Sequence, residues 1–306
     1  MATAICTSDD RGKWLRERKR GVGASDAPGI LGLAPWDGQP SLYADKLTPV
    51  LDEELEAPGF VEFGNVIEQF ALDKIAKDLK ARESALDGTM YASEENPWMR
   101  ATLDGWITEA NGKRTPVELK STAYEDRWRD GVPENVHAQV QHQMAVMGVD
   151  RIIVGVVFRV SCEWRFAEVT RSDEFIGDVL IPAEEKFWRH VVEQNPRGLE
   201  IDGSEATRKA LEILHGSDIE SNELAILSAD ADAWADEIQA IGEKVKALKD
   251  RQRLLKNHIA NEIGSAPMGA LPSARYFRFK TQQRKAYEVG PKSIRPLLGP
   301  FGRETT

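Results

Sequence analysis

Apolar positions follow two rhythms along the chain. In residues 60–80, Phe63, Ile67, Phe70, Ile75 and Leu79 recur close to every 3.6 residues, the spacing of an amphipathic helix. Residues 10–19 read as a basic helix leading into a glycine-rich turn, Gly21 to Asp26, and a short helix to about Leu31. Residues 134–148 read as another helix, with Gly148 as its stop. Segments 87–92, 100–108 and 115–121 have strand character. Residues 151–160 open with the unbroken apolar run RIIVGVVF, the mark of a strand covered on both faces, and 163–170 reads as a further strand. A helix over 172–193 follows, broken or kinked near Pro182. This order predicts an α/β (α+β) layer on one mixed sheet flanked by helices.

The character changes after Asn195-Pro196-Arg197-Gly198 and Asp202-Gly203-Ser204. A short helix over 205–215 precedes a long one over 221–263. Its apolar residues Leu224, Leu227, Ala231, Trp234, Ile238, Ile241, Val245, Leu248, Leu255 and Ile259 step by threes and fours, with only Gln252 interrupting. That is a heptad seam, suited to packing on its own chain or to a contact with another protomer or partner. Residues 274–289 read as two short basic strands. The expected division is a core over 1–203 and a helical arm with a basic β-hairpin over 204–306.

Composition narrows the class. The 306 residues are 41% apolar and 29% charged, enough for a real core. The longest apolar run is one strand long and far short of a membrane span. The amino terminus turns polar too soon for a signal peptide, and two cysteines, Cys6 and Cys162, make neither a disulfide framework nor a zinc cage. The expectation is a cytoplasmic protein. A net charge of −10 argues against nucleic acid as a partner, but the charge is blocky. Residues 11–20 hold six basic groups and one acid, whereas residues 48–96 hold twelve acids and four bases. Acidic blocks between basic ends allow local contact with DNA.

Chemistry is suggested by Asp104 and the segment Val117-Glu118-Leu119-Lys120. Strand alternation puts Glu118 and Lys120 on one face and Val117 and Leu119 on the other. A hairpin through Asn111-Gly112 brings Asp104 opposite Glu118. Two close carboxylates repel unless a cation lies between them, and an all-oxygen set suits Mg²⁺. By spacing alone this pattern is also that of many exposed strands.

The surrounding words add to it. GVGASDAPGILGLAPW, FGNVIEQF, RATLDGW, VELKS and HAQVQHQMAVMG occur in one order over residues 14–195. Together they resemble the YqaJ-like viral recombinase family, relatives of phage lambda exonuclease among the PD-(D/E)xK nucleases. The resemblance implies a restriction-endonuclease-like core that degrades one strand of linear duplex DNA from its end. It implies 5′→3′ polarity, with Mg²⁺ as cofactor and Mn²⁺ able to substitute. Its implied metal set is Glu68, Asp104, Glu118 and Leu119, and its catalytic set is Asp104, Glu118, Lys120 and Gln139. Ser25, with Arg18 or Arg20, matches the site for a 5′-phosphate, and Gln141 is a further DNA-side candidate. The implied partners are duplex DNA ends, a phage single-strand annealing protein and copies of the chain itself in a ring-shaped trimer, within the bacterial host cytoplasm. The family's proline before the strand aspartate is replaced by Leu103.

Other readings stay open at the level of residues. Ser25 and Asp26 suit a helix cap as well as a phosphate site. Gly21-x-Gly23 is no dinucleotide fingerprint, because it follows a charged helix and lacks the third glycine. His137 and His142 fall on different helix faces, and Trp36, Trp98 and Trp106 suit packing as well as base stacking. A structure-specific or restriction-like endonuclease, or a non-catalytic DNA-binding scaffold, also fits the pattern.

Overall fold

The computed structural model describes residues 2–50, 59–216 and 224–281, with side chains within the helix at 59–78 described from Val66 onward. Contacts divide the chain into two compact units, Met1–Gly216 and Ser217–Thr306.

The first unit carries two sheets rather than the single sheet expected. The five-stranded one has the order β3(Glu83–Leu86), β6(Gly105–Thr108), β7(Arg114–Thr122), β8(Arg151–Phe158) and β9(Trp164–Thr170). It is mixed, because β7 and β8 run parallel while the other neighbours run antiparallel. The four-stranded sheet has the order β1(Ala2–Thr7), β4(Thr89–Ser93), β5(Met99–Thr102) and β2(Val22–Gly23). The strand expected over 100–108 therefore breaks at Leu103-Asp104, and its halves join different sheets. The expected strand over 87–92 is β4, which starts two residues later at Thr89; Asp87 and Gly88 connect it to β3, which ends at Leu86. This connection is tied to the break at Leu103-Asp104, since the Asp87 amide donates to the Asp104 carbonyl at 2.8 Å. Gly105 is required there, because a Cβ would stand 2.8 Å from the Ala85 carbonyl oxygen of the neighbouring strand.

Helices cover both faces of the five-stranded sheet, which explains the uninterrupted apolar run of β8. On one face Ala71, Leu72 and Ile75 of α4(Gly59–Asp78) meet Ile107, Val117, Leu119, Ile153 and Val157. On the other, Val136, Val140 and Met144 of α5(Glu134–Met147) meet Ile152, Val154 and Val169. Leu72, Ile75, Val140 and Met144 are fully buried, each contributing about 1.5–3 kcal/mol relative to exposure. Within α4 the buried face runs through Ala71, Leu72 and Ile75; Phe70, expected in the core, is 45% exposed beneath the Lys74 ammonium. Gly148 ends α5 in the left-handed conformation, as its position predicts.

The helix expected over 172–193 is interrupted by a π-turn at Phe175–Leu180, with Pro182 opening α6(Ile181–Val192). The short helix Glu205–His215 packs on the helix Gln39–Leu47 and so belongs with the first unit, not with the arm. The reason is local. Gly38 approaches Asp202 so closely that no side chain fits, and the Gln39 side chain accepts the Glu200 amide at 2.9 Å.

In the second unit the long helix spans Asp230–Ile263, so Leu224 and Leu227 precede it. Residues 221–223 of the expected helix lie outside the described residues. A small hairpin pairs Met268–Ala270 with Tyr276–Arg278. Its second strand overlaps the expected basic strands, of which residues 282–289 lie outside the described residues.

Candidate active site

The break between β5 and β6 positions Asp104, and the antiparallel register of β6 on β7 (Gly105 opposite Val117) brings it beside Glu118. The Asp104 Oδ2 accepts the Leu119 amide at 2.6 Å. Glu118 projects from β7 away from the α4 core, as alternation predicts, and lines a cavity rather than the open surface. It is buried, and its carboxylate is fully engaged. Oε1 accepts from Lys120 Nζ at 2.5 Å and Gln139 Nε2 at 2.7 Å, while Oε2 accepts from Gln143 Nε2 at 2.6 Å. Lys120 also donates to Gln139 Oε1 at 2.9 Å.

One cavity of about 300 Å³ is lined by Glu68, Asp104, Glu118, Leu119, Lys120 and Gln139, and equally by Arg18 and Ser25. Residues more than a hundred positions apart thus line one cavity. Arg18 donates to the Ser25 hydroxyl at 3.2 Å and lies 3.7 Å from Asp26. Of the two arginines considered, Arg18 is the one in the cavity. Arg20 is 69% exposed on its side chain and pairs with Glu17 at 2.7 Å. Asp26 sits where a helix cap belongs but makes no capping bond; it accepts from Lys46 at 2.5 Å and from the Gly23 amide at 2.8 Å.

The electrostatics are those of a crowded anionic site. Burial, the Glu118 charge and more weakly Glu68 push the Asp104 carboxyl well above its ordinary range, with Lys120 opposing. Burial and then Glu118 also raise Glu68. Burial works against the Lys120 ammonium, but Glu118 and Asp104 outweigh it and raise its pKa. Glu68 makes no hydrogen bond or ion pair among the described residues. Three hard carboxylates with too little positive charge among them suit a divalent cation such as Mg²⁺. No three acidic or imidazole groups among the described residues yet converge on one point, because Glu118 is turned to Lys120, Gln139 and Gln143.

Two residues of the site escape sequence reasoning. Gln143 follows Gln139 by one helical turn, so the partner on the same face of α5 is four residues on, not two. Gln141 consequently leaves the site: it donates to the Thr170 carbonyl at 2.8 Å and accepts the Ser172 amide at 2.9 Å. Arg100 is the other. It lines the cavity, pairs with Glu17 at 2.6 Å, and keeps a buried Nε without a hydrogen-bond partner. His142 is structural, its ring nitrogens 2.7 Å from Glu184 and 2.9 Å from the Arg100 carbonyl. Trp106 is held by Asp87 at 2.6 Å and stacked by Arg114, whereas Trp36 is exposed and Trp98 partly buried.

A mixed α/β chain with an Asp, Glu and Lys constellation at a strand break defines the class. Comparison with known proteins gives the family. The model of the YqaJ-like viral recombinase domain matches residues 13–150. The uncharacterized protein YqaJ of Bacillus subtilis (strain 168) is 30% identical over 268 residues, covering 85% of this chain and 80% of that protein. The chain belongs to the YqaJ-like viral recombinase family. Among solved structures, the alkaline exonuclease LHK-Exo from Laribacter hongkongensis aligns with a TM-score of 0.47 at 16% identity, over 60% of this chain and 93% of that one. A phage related exonuclease from Haemophilus somnus 129PT aligns with a TM-score of 0.39 at 12% identity, over 57% of this chain and 96% of that one. Among the described residues no helix is long and apolar enough to cross a membrane.

Proposed function

We propose that this chain is a Mg²⁺-dependent deoxyribonuclease that degrades one strand of linear duplex DNA from a 5′ end, leaving 3′ single-stranded tails for annealing. The observation that carries the reading is the shared cavity. Arg18 and Ser25 offer a charge-assisted phosphate contact in the cavity that Glu68, Asp104, Glu118 and Lys120 also line. A receptor for a terminal phosphate so close to a hydrolytic set favours cutting near an end over cutting internally.

Glu68, Asp104 and Glu118 would hold the cation, with Leu119 beside them and Mn²⁺ an acceptable replacement. When bound, the metal supplies Lewis-acid neutralisation of the scissile phosphate and a water of lowered pKa. The chain's own residues do the rest. The Leu119 amide fixes the Asp104 carboxylate, Gln139 and Gln143 fix Glu118, and the Lys120 ammonium is placed to orient the attacking water or a phosphate oxygen. Copies of the chain in a ring, an annealing protein as partner and a host-cytoplasm setting complete the proposal by family likeness.

The test uses linear duplexes labelled at either 5′ or 3′ ends, with Mg²⁺ and with chelator, beside a covalently closed circle. Loss of the 5′ label first, faster from 5′-phosphate than 5′-hydroxyl ends, is expected, with the circle untouched. Nicking of the circle would make the chain an endonuclease. Binding without any cleavage under Mg²⁺ or Mn²⁺ would make it a scaffold.

A further inference from the structure

The long helix Asp230–Ile263 has no buried residue along its 34 positions. Yet Trp234, Ile238, Ile241, Val245, Leu248 and Leu255 form one stripe, Trp234 at 60% and Leu248 at 70% exposure. An apolar stripe of that length normally lies against another helix. The charges flanking it say which one.

Along one flank, immediately before successive seam positions, stand Asp230, Glu237, Lys244 and Arg251, acidic in the first half and basic in the second. Along the other stand Ala235, Gly242, Lys249 and Lys256. Two such helices in parallel register set Lys244 against the partner's Lys249 and Arg251 against the partner's Lys256, which repel. Run antiparallel with Ile238 facing the partner's Ile241, the same helices set Glu237 against the partner's Lys244 and Asp230 against the partner's Arg251. The two-fold axis repeats both pairs. The same register places Trp234 on the partner's Val245 and Ala231 on the partner's Leu248. It also brings small residues, Ala235 and Gly242, together on the opposite flank, where bulk would hold the helices apart. A slip of one heptad puts Lys244 against its own copy in one direction and Glu237 against its own copy in the other. Orientation and register are both selected by charge, while the seam supplies the apolar area.

We propose that this helix pairs antiparallel with the same helix of a second copy of the chain, Ile238 lying on the partner's Ile241. The inference is independent of the nuclease reading, since no cavity residue lies in the helix.

The full-length protein is measured by light scattering after gel filtration. Glu237→Lys and Lys244→Glu are each expected to halve the assembly mass, with far-UV circular dichroism showing the fold retained. The combined Glu237→Lys/Lys244→Glu variant reverses the pair and is expected to restore the mass. Orientation is read separately, in a Cys6→Ser/Cys162→Ser background. Trp234→Cys mixed with Val245→Cys should form a disulfide-linked dimer on oxidation, and neither variant should do so alone. A mass indifferent to all three charge variants, or single cysteine variants that each link to themselves, would overturn the proposal.

Discussion

Glu118 is the residue on which most of the site depends, because three donors converge on its carboxylate. Glu118→Gln and Lys120→Ala are expected to lower strand degradation at least about a hundredfold, each 1.36 kcal/mol of barrier being tenfold in rate. Circular dichroism should show an unchanged fold, and near-normal turnover in either would remove these residues from the mechanism. Gln143→Leu is subtler. It leaves Glu118 Oε2 without its donor, an unsatisfied buried acceptor costing about 1–3 kcal/mol. A lowered urea midpoint together with weaker Mg²⁺ dependence is expected, and a variant identical to the parent in both would show that Gln143 does not position Glu118. For the phosphate contact, Arg18→Ala should abolish the preference for 5′-phosphate ends while Arg20→Ala leaves it intact, measured on paired duplexes. Equal loss in both would contradict the placement of Arg20 against Glu17. Most of these positions are legible in the sequence, because strand alternation puts Glu118 and Lys120 on one face and the motif words give Glu68, Asp104 and Ser25. Gln143 and the choice of Arg18 over Arg20 are not, since both depend on where a helix face points after packing.

At the level of elements, the helices and most strands announce themselves by period, whereas the strand breaks do not. Residues 100–108 alternate well enough for one continuous strand. Only the pairing of Met99–Thr102 with β4 and of Gly105–Thr108 with β3 and β7 forces them apart. The amino-terminal strand Ala2–Thr7 escapes the pattern for a related reason: it carries little apolar periodicity and is recruited by pairing with β4. The pair Asp26–Lys46 ties the glycine turn to the helix Gln39–Leu47. Burial opposes ionisation of Asp26, but Lys46 and then Arg18 overcome it and hold the carboxyl below its ordinary value. A folded pKa below the unfolded value of about 3.9 stabilises the fold above that pH and fades as pH falls through the lower folded value. Asp26→Asn should therefore be less stable near neutrality and lose less of its urea midpoint on acidification below about pH 4. An unchanged slope against pH would show that the pair contributes nothing to acid sensitivity.

At the scale of the molecule, the cavity residues and the heptad helix fall in different units. A fragment ending at Gly216 should fold and keep cleavage of short duplexes, since every cavity residue lies before it; failure to fold would show that the first unit is not autonomous. Within that unit, Asp104 lies where the chain steps from one sheet to the other, so its distance from Glu118 is a measure of how the sheets are joined. If the proposed function holds, a site assembled across such a joint acts as a strain gauge. Warming that loosens the joint while both sheets stay intact should silence cleavage several degrees before circular dichroism reports any loss of structure. On the proposed function, added Mg²⁺ held by Asp104 and Glu118 would close that gap between the two curves.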